Sequence, residues 1–131
     1  MNAFFISLLI FISIILCTLI HVKAISISKS LGLYLSSIIL LISHLLHIGL
    51  FAFVYFIFIN YLGLELVFVD KSTYSFLNYI YFSASVYTAL GFGDVYPLGL
   101  LKIAAAIQPL FGLCMIAFSA SLIFTKISSK Y

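Results

Sequence analysis

A chain of 131 residues that is 66% hydrophobic and only 7% charged has too few polar groups to cover the surface of a soluble domain. Its net charge of +3 comes from six basic residues against three acids, too sparse for a nucleic-acid-binding face. What remains is an integral membrane protein, and long apolar runs without the alternating pattern of an outer-membrane barrel make it all-α.

The first apolar run, Ala3 to Ile20, reaches ~27 Å at ~1.5 Å per residue, enough to span once. Val22-Lys23-Ala24 imitates the cleavage site of a secretory signal. However, no Lys or Arg precedes the run, and the run is longer than a signal core, so a retained span is expected. Ser13, Cys17 and His21 recur along one helical face and predict packing on another helix. The run holds no arginine and no charge, which excludes a voltage sensor. A connector from His21 to Ser30 carries Lys23 and Lys29. Cys17 and Cys114 each sit in an apolar run without metal or disulfide spacing and read as packing residues.

The second run, residues 33–62, is longer than the hydrocarbon core and must tilt or project. Ser37, His44, His47 and Tyr55 fall near one of its faces, which is expected to point into the bundle. The pair His44 and His47 reads either as neutral packing histidines or as a proton-sensing pair. A metal site is not expected there, because no acid or cysteine lies nearby in sequence to complete it.

An outer connector with Glu65, Asp70 and Lys71 leads to Ser72 or Thr73, either of which would cap a short aromatic helix over residues 73–88. The carbonyl end of that helix would favour a cation. Gly91 and Gly93 then flank Phe92. Glycine takes left-handed backbone angles freely, so alternating handedness can turn successive carbonyls toward one axis and let them replace an ion's water shell.

Here the residues resemble a family. Ala89-Leu90-Gly91-Phe92-Gly93-Asp94, with Thr88 before it and Pro97 after, resembles the potassium-channel signature Thr-Val-Gly-Tyr-Gly-Asp. The close match covers about Tyr81 to Pro97, and the flanking apolar runs give the membrane-pore-membrane layout of that family. The resemblance implies an ion-binding filter over residues 89–93, including Thr88 at its foot. Potassium would be held by the carbonyls of Ala89, Leu90, Gly91 and Phe92, with Asp94 bracing or charging the outer mouth. One chain supplies only a quarter of such a ring, so a homotetramer is implied. Two departures stand out. Phe92 replaces the family's tyrosine in a chain without tryptophan, and Ala89 replaces the threonine whose hydroxyl serves the innermost ion site. Bacterial ion-channel proteins with one added N-terminal helix look similar overall.

The last run, residues 98–127, opens with Lys102 and carries Gln108, Pro109 and Gly112 mid-membrane, where a bend is expected. The resemblance makes Gly112, with Pro109, a gating hinge; close helix packing is the other reading.

The expected architecture is therefore three membrane helices with a re-entrant pore helix and filter loop between the second and third. Residues 1–32 form the first span and a cytoplasmic connector. Residues 33–131 form the pore domain, with outer helix 33–62, pore helix 73–88, filter 89–93 and inner helix 98–127. Lysines on the connector and tail, against acids between the second and third spans, put the N-terminus outside and the tail in the cytoplasm of the cell (plasma or inner) membrane. The function expected is passive potassium conduction. The rivals are a weakly selective Na+/K+ channel and a non-conducting subunit of a larger complex. Neither a catalysed reaction nor a cofactor other than permeant monovalent cations is expected, and the partners are sister chains and membrane lipids, with no nucleic acid.

Overall fold

The computed structural model describes residues 2–69 and 75–129. In chain order these form α1 (Asn2–Lys29), α2 (Leu33–Asn60), β1 (Leu66–Phe68), α3 (Phe76–Tyr87), β2 (Val95–Pro97) and α4 (Leu101–Ser128). Helices α1, α2 and α4 are each long and apolar enough to cross a membrane. The described residues are thus all-helical but for one small ribbon.

Helix α1 runs through the stretch expected as a connector. Residues 21–29 contain neither glycine nor proline, and His21, Ala24 and Ser28 are buried at the same helical spacing as the apolar residues before them. Polar residues that read as loop in sequence thus continue a packed stripe: Ile6, Ile10, Ser13, Cys17, His21, Ala24 and Ser28. The turn is confined to residues 30–32, where Gly32 is extended and opens α2.

Helix α2 answers with its own stripe of Ser36, Leu40, Ser43, His47, Phe51, Val54 and Phe58. The two helices run antiparallel, and their polar contacts step together. The Ser36 hydroxyl donates to Ser28 O at 3.0 Å, His21 Nδ1 lies 3.1 Å from Ser43 Oγ, and His47 Nε2 lies 2.9 Å from Cys17 O. Lipid tails are as apolar as leucine, so small residues and such bonds, about 1 kcal/mol each, must hold the pair together. The buried serine of the pair Ser36-Ser37 is Ser36, whereas Ser37 is exposed and bonds only to Leu33 O.

Gly63, in the left-handed region at φ 64°, ends α2 at Asn60 rather than 62 by turning the chain so that Leu64 N donates to Phe58 O. The expected cap at Ser72 or Thr73 lies outside the described residues, and α3 begins at Phe76 after an extended Ser75. Helix α4 begins at Leu101, not 98, because residues 95–97 are in strand and Gly99 turns left-handed at φ 52°.

The ribbon pairs β1 and β2 antiparallel, with Leu66 opposite Pro97 and Phe68 opposite Val95. Val69 N to Asp94 O and Leu98 N to Glu65 O extend it at either side. Two strands of three residues leave no readable period and could not be foreseen from the residues alone.

Between α2 and α4, α3 fills the interior with Tyr79, Phe82 and Tyr87 against Phe51, Tyr55 and Phe58 of α2 and Leu101, Ala104, Phe111 and Met115 of α4. At the far end Lys126 Nζ donates to Leu31 O at 2.7 Å. The tail of α4 and the α1–α2 turn therefore share one end of the bundle.

Candidate functional site

The C-terminal end of α3 bends its following amides back on itself. Ala89 N donates to Val86 O at 3.0 Å, and Leu90 N and Gly91 N converge on Ser85 O at 2.9 and 3.4 Å. The Thr88 hydroxyl also turns inward, donating to Ala84 O at 2.8 Å. Inward amides force the other side of each peptide outward. Among the described residues the carbonyls of Thr88 to Gly93 accept no hydrogen bond, and every residue from Thr88 to Asp94 is exposed in the single chain.

Handedness alternates along this loop: Ala89 has φ 56°, Gly91 φ 56° and Gly93 φ 85°, while Leu90 and Phe92 between them do not have positive φ. Peptides of alternating hand face their carbonyls the same way, as an ion-coordinating row requires. Both glycines sit in open space, so only the backbone angle demands them. Ala89 meets the same demand with a Cβ, at a cost of about 1–2 kcal/mol.

A brace that the sequence reading missed stands behind the loop. Tyr81, on α3, stacks on Phe92 with ring centroids 5.8 Å apart and planes 9° apart. Its hydroxyl donates to Asp94 Oδ2 at 2.7 Å. The hydrogen bond to Asp94 holds the phenol above the ordinary tyrosine range, with a little burial adding to it. The absence of tryptophan and of a filter tyrosine therefore does not leave the loop unsupported. Asp94 is committed through both its carboxylate and its carbonyl, the latter accepting from Val69 N.

On the other side of α3, Gln108 of α4 is fully buried and has all its contacts made. It accepts from the Tyr55 hydroxyl at 2.7 Å, and its amide donates to Ser83 O and Ser83 Oγ at 3.1 and 2.9 Å. Ser83 in turn donates to Ile48 O at 2.8 Å. One side chain thus ties α2, α3 and α4 together, and the adjacent Pro109 lies inside an uninterrupted α4. Gly112 lies where the end of α3 comes closest, and a Cβ there would collide with the Tyr87 carbonyl. The structure thus gives Gly112 a packing role.

His44 and His47 do not reach the loop but share the hydroxyl of Tyr87, the last residue of α3, at 2.8 and 3.1 Å. His21 joins them from α1, with its ring 5.2 Å from His44 and 5.5 Å from His47. The only signal for His21 in sequence was its place on the Ser13, Cys17 face.

The family model described as "Ion channel" matches residues 43–129, about two thirds of the chain. No curated protein and no solved structure matches it.

Proposed function

The chain belongs to the ion-channel family, and from that premise we propose that it conducts potassium passively through a homotetrameric ring of backbone carbonyls. Three long apolar helices and the family domain make it a multi-pass membrane protein. Potassium selectivity rests on one observation. After α3 the amides fold back on the helix, left-handed residues alternate at 89, 91 and 93, and the carbonyls of Thr88 to Gly93 find no partner among the described residues. Free carbonyls inside a membrane are costly unless something else coordinates them, and a dehydrated cation does so.

In this reading Ala89, Leu90, Gly91 and Phe92 present the ion ligands. Thr88 lends its carbonyl but keeps its hydroxyl on α3, and Asp94 acts chiefly as a brace. Four chains are needed because one loop supplies one quarter of each ring. Residues 33–131 would form the pore unit and 1–32 an appended span. Lys23, Lys29 and Lys126 gather toward the end where Lys126 meets Leu31. Positive-inside bias makes that end cytoplasmic and puts the N-terminus outside.

Potassium and sodium flux into liposomes holding purified protein tests the proposal, together with native mass measurement in detergent. The expected result is a tetramer with potassium uptake well above sodium uptake. Equal uptake of both ions would replace potassium selectivity with weak cation selectivity, and a monomer or dimer without flux would remove the pore altogether. Gly91→Ala should abolish potassium preference while the tetramer still assembles, because the site has room for a methyl but its φ of 56° adds a second strain of about 1–2 kcal/mol beside that at Ala89, enough to turn the peptide out of the row.

A further inference from the structure

Three histidines from two helices meet inside the bundle, and the conduction proposed above uses none of them. His21 and His47 are fully buried, His44 is half-buried, and one ligand nitrogen from each lies within 4.8 Å of the others. We propose that His21, His44 and His47 form a binding site for a zinc-class transition-metal ion that fastens α1 to the channel domain at the foot of α3.

The first argument is the direction of the lone pairs. A carbonyl can only accept, so the contact with Cys17 O at 2.9 Å places the hydrogen of His47 on Nε2 and leaves Nδ1 bare. Ser43 spends its own hydrogen on Leu40 O at 2.7 Å and therefore accepts from His21 Nδ1, which leaves His21 Nε2 bare. Both rings are held from their outer nitrogen by an oxygen fixed to a helix. Metal-binding histidines are oriented in this way, with the outer N–H on a carbonyl or similar acceptor.

The second argument is a shortage of hydrogens. Between the two bare nitrogens runs a chain of contacts: His21 Nε2 to Ser119 Oγ at 3.3 Å, Ser119 Oγ to His44 Nε2 at 3.0 Å, His44 Nδ1 to Tyr87 Oη at 2.8 Å, and Tyr87 Oη to His47 Nδ1 at 3.1 Å. Four contacts must share the hydrogens of Ser119, Tyr87 and a neutral His44, which are three. One contact therefore sets lone pair against lone pair. The cluster lacks an electron-pair acceptor, and a metal ion supplies one to all three rings at once.

Ligand chemistry narrows the ion. Imidazole without carboxylate suits zinc, copper or nickel and not magnesium or calcium. Tetrahedral zinc with Zn–N of about 2.0–2.1 Å sets nitrogens about 3.4 Å apart, so nitrogens within 4.8 Å of one another must close by up to about 1.4 Å. Tyr87 Oη lies beside the cluster, within 3.1 Å of both His44 Nδ1 and His47 Nδ1. Two surface grooves give a path in: one between α2 and α4 is lined by Leu40, His44 and Ser119, and one beside α1 is lined by His21 and Met115. The matched family domain begins at residue 43, so the site joins a helix outside that domain to one within it.

The test uses the full chain in detergent, purified without a histidine tag, stripped with a chelator and titrated with Zn2+ against a chromophoric competitor. We expect one zinc per chain, and loss of about tenfold or more in affinity in both His21→Gln and His47→Gln. Co2+ in place of zinc should give the intense visible bands of a tetrahedral site in the wild-type protein, a readout that survives if a variant fails to fold. Zinc well below one per chain, affinity unchanged in His21→Gln, or only the weak bands of octahedral cobalt would each overturn the site, as would a cluster that responds to protons alone. No step measures ion flux, so failure of the conduction proposal leaves the result readable.

Discussion

Ala89 carries the clearest strain in the chain, since it is the only non-glycine residue with positive φ among those described. Ala89→Gly should therefore stabilise the protein by about 1 kcal/mol, read as a later loss of the native size-exclusion peak on heating. Ala89→Thr, which restores the residue of the potassium-channel signature, puts a β-branched side chain at the same angle and should lower that midpoint. If Thr raises it, the left-handed assignment at 89 is wrong. Tyr81 makes the second residue-level case. Its raised pKa means that the protonated phenol is the form bound to Asp94, so the brace is fully present below about pH 10 and is lost as pH climbs beyond the ordinary tyrosine range. Tyr81→Phe keeps the stacking on Phe92 but drops the hydroxyl, and should shorten conducting bursts severalfold at neutral pH. Burst lengths in single-channel records equal to wild type would show that Asp94 is held by something else. The glycines and Asp94 could be picked out from sequence because their spacing is specific. Tyr81 could not, since one more tyrosine in an aromatic helix carries no mark of the partner it reaches thirteen residues on.

Among the elements, α3 and α4 meet backbone to backbone at Gly112, beside the Gln108 to Ser83 contacts. Gly112→Ala forces a methyl against the Tyr87 carbonyl, an atom that cannot swing aside, and should cost about 1–3 kcal/mol. A hinge role predicts a different outcome, with stability kept and opening impaired, so thermal stability measured beside flux separates the two readings. The span elements were legible because apolar runs of that length have few other fates in water or lipid. Their ends were not. The serines and the histidine after Ile20 look like a connector until another helix supplies partners for them, and a partner in α2 cannot be seen from α1 alone. Gln108 was silent for the same reason, since its partners Tyr55 and Ser83 lie on two other helices.

At the level of the whole molecule, the polar contacts between α1 and α2 set a register that can be checked without any assay of function. In a background of Cys17→Ala and Cys114→Ala, cysteines at Ala24 and Leu40, both buried on the facing stripes, should cross-link readily on oxidation. A cysteine at Val22, which is 58% exposed, paired with one at Leu40, should not. Equal yields from both pairs would mean that the first helix rotates freely against the second. The two stripes carry one further property. Ile6, Cys17 and Ser28 are spaced by eleven residues, and so are Ser36, His47 and Phe58 on the opposing helix. Eleven residues in three turns is slightly more than the natural pitch of an α-helix, so a stripe with that period drifts round a straight rod in the sense opposite to a heptad stripe. To stay in contact for their whole length, the two helices must coil about each other with a right-handed twist. A replacement first helix designed on heptads would match α2 for a turn or two and then peel away from it.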